Sequence, residues 1–99
     1  MENIQTIDKI ETVKLIKGTF DPVDAAEVLF SILSDKIRFH NIQILSIKER
    51  FSGDTKYSEQ RLNELKEAKQ KVANLILEAR DQDCQIEINS NIEIRLKSN

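Results

Sequence analysis

Cysteine is almost missing from this chain: Cys84 stands alone among 99 residues. No intramolecular disulfide can form, and a single thiol suits a reducing compartment. Glycine occurs twice, proline once and tryptophan never, and aromatic residues make up 5% of the chain. So few breakers and aromatics, together with 32% charged residues, favour long helices. No apolar run approaches the roughly 20 residues of a membrane span. Met1-Glu2-Asn3-Ile4-Gln5 has neither the basic nor the apolar region of a secretory signal. Charge of one sign is also lacking: 15 basic against 17 acidic residues give a formal net charge of −2. That balance argues against a sequence-independent nucleic-acid binder, which needs a basic stripe. Lys9, Lys14 and Lys17 lie close together, but Asp8 and Glu11 stand among them, as on a mixed solvated face. These absences predict a soluble, cytoplasmic chain with no membrane partner and nucleic acid an unlikely one.

What is present is aliphatic and periodic. A disordered chain would carry fewer isoleucines and leucines. The length fits one domain, residues 1–99, which buries less than roughly 70% of its unfolded surface and so has a modest core. At the C-terminal end Cys84, Ile86, Ile88, Ile92, Ile94 and Leu96 fall on one parity, and Gln85, Glu87, Asn89, Asn91, Glu93 and Arg95 on the other. Strict alternation marks a strand with one apolar and one wet face. Only Ser90 interrupts the apolar row. The row reads as one strand over about residues 84–96, with a bulge near Asn89-Ser90-Asn91, or as a tight hairpin turning there. Preserved parity favours one strand. Near the N-terminus Ile4, Ile7, Ile10, Val13 and Ile16 recur every third residue, which fits neither regular period, but Val13 and Leu15 alternate with polar neighbours. A strand over about residues 7–17, ending at Gly18, is expected.

Between these ends lies helical sequence. Asp21 is suited to cap a helix, Pro22 to its first position, and Asp24 and Glu27 to the positive end of its dipole. Val23, Ala26, Phe30, Leu33, Ile37, His40, Ile44, Ile47 and Phe51 follow at alternating spacings of three and four, one seam of a long helix. Ala25, Leu29, Ile32, Ile42 and Leu45 widen the apolar face. Ser34-Asp35 is a possible cap for a second helix, but the seam keeps its phase across it, so one helix over about 22–51 is favoured. Ser52-Gly53-Asp54 reads as a turn, with Gly53 at the helix C-cap and Asp54 or Thr55 capping the next helix. That helix spans about 55–83, with a seam of Leu62, Leu65, Lys69, Val72, Ile76 and Ala79. Ala68, Ala73, Leu75 and Leu77 lie beside the seam.

A short connection makes the helices antiparallel neighbours. Each is about 45 Å long at 1.5 Å per residue. Each strand reaches up to about 40 Å at 3.3 Å per residue. The lengths match, so the fold class expected is α+β: a β-α-α-β chain in which a long antiparallel helical hairpin is covered by a ribbon of the two terminal strands.

Few residues suggest chemistry. His40, the only histidine, sits on an apolar seam beside Asn41. The plain reading is a core histidine hydrogen-bonded to a neighbour. A polar site at His40 and Asn41 would need a pocket and a second polar group, and a metal would need further ligands. Asp21 and Asp24 begin one helix while Asp81 and Asp83 end the other, so the hairpin brings them together. They would bind a cation unless Lys17 and Arg80 neutralise them. Gly18 and Gly53 are isolated and form no phosphate-binding loop. No catalytic residue, metal or cofactor is expected.

Gly18-Thr19-Phe20-Asp21-Pro22 with Ala25-Ala26, then Lys36-Ile37-Arg38-Phe39-His40-Asn41, Glu49-Arg50-Phe51 and the closing Ile92-Glu93-Ile94-Arg95-Leu96 resemble a family of short bacterial proteins, mostly from Bacteroidetes. The resemblance spans nearly the whole chain. It implies a bacterial, cytoplasmic origin and draws attention to Phe39-His40-Asn41, but it carries no activity and no residue roles. The function expected is that of a structural or protein-interaction module, not an enzyme, acting as a homodimer or with another protein. Its contact surface would be either the strand edges, paired across a two-fold axis, or Leu29, Ile32, Ile42 and Leu45. The alternatives are a regulatory nucleic-acid binder and a small-ligand site around His40.

Overall fold

The structure is a computed structural model that describes residues 9–51 and 54–98, with the side chains of residues 49–51 outside the description. Four elements follow in order: β1 (Ile10–Phe20), α1 (Pro22–Phe51), α2 (Lys56–Asp81) and β2 (Ile86–Arg95). The fold is α+β, with two helices forming a hairpin and two strands forming an antiparallel sheet. It divides into two compact units, one holding the strands up to Thr19 and from Glu87, the other Phe20–Ile86.

In the helical unit, α1 is a single helix through Ser34 and Asp35. Its first intrahelical bond runs from the Ala25 N–H to the Asp21 carbonyl at 2.9 Å. The turn expected at Ser52-Gly53 lies outside the described residues. Beyond it, Asp54 accepts the Lys56 N–H at 2.9 Å. The Thr55 hydroxyl does not cap α2 and instead donates to the Glu59 carboxylate at 2.5 Å. Three rungs show the antiparallel register. Ser58 donates to Gln43 at 3.3 Å near the turn, Phe30 and Ile37 share a groove with Ala73 and Lys66 midway, and Pro22 lies by Ala79 at the far end.

The core of this unit is thin. Ala25, Leu65, Ile76 and Ala79 are buried, and among the described residues no large side chain is fully enclosed. One seam residue departs from expectation: Val23 is 73% exposed while Ala25 is wholly buried. A straight helix drifts about 20° per heptad against a strict seven-residue repeat. From Phe51 back to Val23 that drift turns the seam away from α2 and turns Ala25 inward.

α2 stops at Asp81, two residues short of the expected end, and it stops without glycine. Asp83 takes the left-handed conformation (φ 54°). Its N–H donates to the Arg80 carbonyl at 3.2 Å, and the Cys84 N–H to the Ala79 carbonyl at 2.8 Å. This pair of bonds satisfies the last carbonyls of a helix when a left-handed residue follows it. Aspartate tolerates that conformation better than most side chains, though less well than glycine.

In the strand unit, β2 is one strand through Ser90, as its parity suggests. β1 runs three residues further than expected, past Gly18 to Phe20. Pairing with β2 outweighs the low strand propensity of glycine here. The expected start at Ile7 lies outside the described residues. The Leu96 N–H donates to the Lys9 carbonyl at 2.9 Å, which sets Lys9 opposite Leu96.

Candidate functional site

The residues singled out by sequence are dispersed rather than gathered. His40 is 6% exposed, while the adjacent Asn41 faces solvent. Successive residues of a helix point about 100° apart, so one buried residue implies an exposed neighbour. The Phe39 ring meets the imidazole edge to face, with centroids 5.3 Å apart and an 82° interplanar angle. Lys36 Nζ lies 5.0 Å from the Phe39 centroid. The hydrogen bond expected of a core histidine is missing at one atom: among the described residues, the buried His40 Nδ1 has no partner. His40 lines none of the three cavities described below.

The ends of the hairpin do come together. Asp21, Pro22, Ala79, Arg80, Asp83, Cys84 and Gln85 line a cleft of about 190 Å³. Gln85 Nε2 donates to the Asp21 carboxylate at 3.2 Å, so the residue before α1 is clasped by the segment after α2. Arg80 lines the same cleft as Asp21 and Asp83. Asp24 and Asp81 do not line it. No group of three or more metal-capable side chains occurs among the described residues. A second cavity, about 290 Å³, shares Ala79, Cys84 and Gln85 with this cleft and is otherwise lined by Leu75, Glu78, Gln82 and Ile86. The Cys84 thiol is exposed, and it donates to the Gln82 carbonyl at 3.5 Å.

The sequence pattern misses one groove. Phe30, Ile37 and Ala73 floor a space of about 330 Å³ rimmed by Lys66, Lys69 and Gln70. Its width follows from the small side chain at Ala73. Lys69 belongs to the seam, yet its ammonium swings out over the Phe30 ring, 6.0 Å from the centroid. A lysine on an apolar seam beside alanines was the available signal, but naming the groove required the register of the two helices.

The four expected interface residues divide into two pairs. Leu29 and Ile32 are half-buried, whereas Ile42 and Leu45 are each 57% exposed. Phe39 adjoins the exposed pair on α1.

The strand unit carries a second apolar surface. Counting inward from the Lys9–Leu96 pair places Glu11 opposite Ile94 and Val13 opposite Ile92. Two side-chain contacts agree with this register. Lys9 and Glu11 pair at 3.7 Å on one face, and Lys14 donates to Asn89 at 3.3 Å on the other. One face therefore presents Val13, Leu15, Ile92, Ile94 and Leu96, between 40 and 50% exposed, together with the charged Lys9 and Glu11 at its end. The opposite face presents Thr12, Lys14, Asn91, Glu93 and Arg95, with Ile10 its one large aliphatic residue over this stretch.

No helix among the described residues is long and apolar enough to cross a membrane. Comparison with protein families, with curated proteins and with solved structures gives no match for the chain.

Proposed function

We propose that this chain is a small interaction module of the bacterial cytoplasm that works as a homodimer and catalyses no reaction. One observation carries the reading. Among the described residues, thirteen large apolar side chains are at least 40% exposed, whereas five apolar residues are buried. Single exposed leucines are ordinary on protein surfaces, but contiguous apolar patches mark contact sites. Two such patches are the Phe39, Ile42 and Leu45 stretch of α1 and the aliphatic face of the strands. His40 agrees with the same reading, because at 6% exposure its side chain presents little surface to a small molecule.

Sedimentation velocity tests the proposal. At tens of micromolar, in the range where weak specific interfaces assemble, the protein sediments at twice its 11.4 kDa chain mass. A monomer throughout that range refutes it.

A further inference from the structure

We infer that the homodimer forms by face-to-face packing of the two-stranded ribbons, with Val13, Leu15, Ile92, Ile94 and Leu96 of one copy lying on the same residues of a second. The inference rests on the homodimer reading and names its surface.

The first ground is the ribbon itself. A two-stranded sheet has too little core to be stable in water unless its apolar face is covered. Here the cross-strand register brings five aliphatic side chains onto one face and leaves them 40–50% exposed. Over the same stretch the opposite face is polar apart from Ile10. Such an amphipathic ribbon presents one side that needs a cover and one that does not.

The second ground is geometry, which separates face packing from edge pairing. Joining two ribbons edge to edge would satisfy backbone groups, but it would leave both apolar faces wet and double their combined width. Stacking the faces at the usual sheet separation of about 10 Å removes both from water. A two-fold axis makes this contact self-complementary, since the same patch serves both copies. Lys9 and Glu11, paired at 3.7 Å, share this face at the end of the ribbon, opposite Leu96 and Ile94, so stacked copies bring their ion pair into the contact alongside the aliphatic side chains.

The third ground is area. A half-exposed aliphatic residue contributes about 80 Å² of accessible surface, so the five give about 400 Å² per copy. Two copies remove about 800 Å² of apolar surface. A homodimer interface is about 65% apolar, which implies about 1,200 Å² in total, the lower bound of the standard size range.

Sedimentation velocity on three proteins tests the assignment. Val13→Lys/Ile92→Glu places opposite charges across the strand pair, which supports the ribbon while making its face polar. Ile42→Glu/Leu45→Glu alters the α1 patch. The wild type sediments as a dimer, the ribbon variant as a monomer with unchanged far-UV circular dichroism and a dissociation constant raised at least about a hundredfold, and the α1 variant as a dimer. A dimeric ribbon variant overturns the inference while the homodimer stands, and so does a monomeric α1 variant. A monomeric wild type overturns both. If the charged ribbon variant loses its circular dichroism, Leu15→Thr/Ile94→Thr, which keeps strand-forming residues, replaces it: weakened association supports the inference, and undiminished association overturns it.

Discussion

Replacing His40 with leucine should stabilise the protein. His40 is 6% exposed, and its buried Nδ1 has no hydrogen-bond partner among the described residues. Leaving a buried polar atom unsatisfied costs about 1–3 kcal/mol, and an apolar group of similar shape does not incur that cost. Leucine has nearly the volume of histidine, so the swap neither opens a void nor overfills the site. It is also the better helix former, by a few tenths of a kcal/mol. The favourable edge contact with Phe39 is lost, which gives back about 0.5–1.5 kcal/mol at the strongest. The balance favours His40→Leu by about 1 kcal/mol, a rise in Tm of about 4–8 °C for a domain of this size. His40→Ala shares the polar gain but leaves a cavity, so it should lose stability. Thermal melts followed by circular dichroism, at one fixed protein concentration because association raises apparent stability, measure both. A His40→Leu protein that melts lower than wild type by several degrees would refute the reasoning, since the imidazole would then be making a bond worth more than its burial costs.

Two further substitutions probe the helical unit. Asp83→Gly removes the side chain from the left-handed position that ends α2, and it should raise stability by about 0.5–1 kcal/mol in urea titrations; a loss of stability would mean that the carboxylate itself is favourably engaged. Ala25 is wholly buried at the start of α1, so Ala25→Leu should overpack the site and cost about 1–3 kcal/mol. A neutral result there would mean that the site has room that the structure denies.

Much of the architecture is legible in the residues themselves. Pro22 announces the start of α1, because a ring that fixes φ and lacks an N–H suits a first helical turn. The unbroken seam carries α1 through Ser34, and parity carries β2 through Ser90. What escaped the sequence depends on partners distant along the chain. Gly18 looked like a stop and is not, because strand pairing supplies what local propensity lacks. Val23 looked buried and is exposed, because the seam drifts around the helix over four heptads. Asp83 ends a helix in a conformation that sequence usually signals with glycine. His40 was placed correctly on the core side, but its unpartnered nitrogen depends on which α2 residues face it. Of the four residues marked for contact, Ile42 and Leu45 are exposed, and the aliphatic ribbon face emerged only once Lys9 was set opposite Leu96.

The clasp between Gln85 and Asp21 joins residues 64 apart in sequence, while the Ser58–Gln43 rung closes a span of 15. Loop-closure entropy favours the shorter span, so the hairpin zips from its turn outward and the clasp closes last. The same order in reverse makes the far end the part that opens first, ahead of global unfolding. That end includes Cys84, so brief local opening there, rather than denaturation of the whole chain, sets how readily the Cys84 amide hydrogen, which donates to the Ala79 carbonyl, exchanges with water.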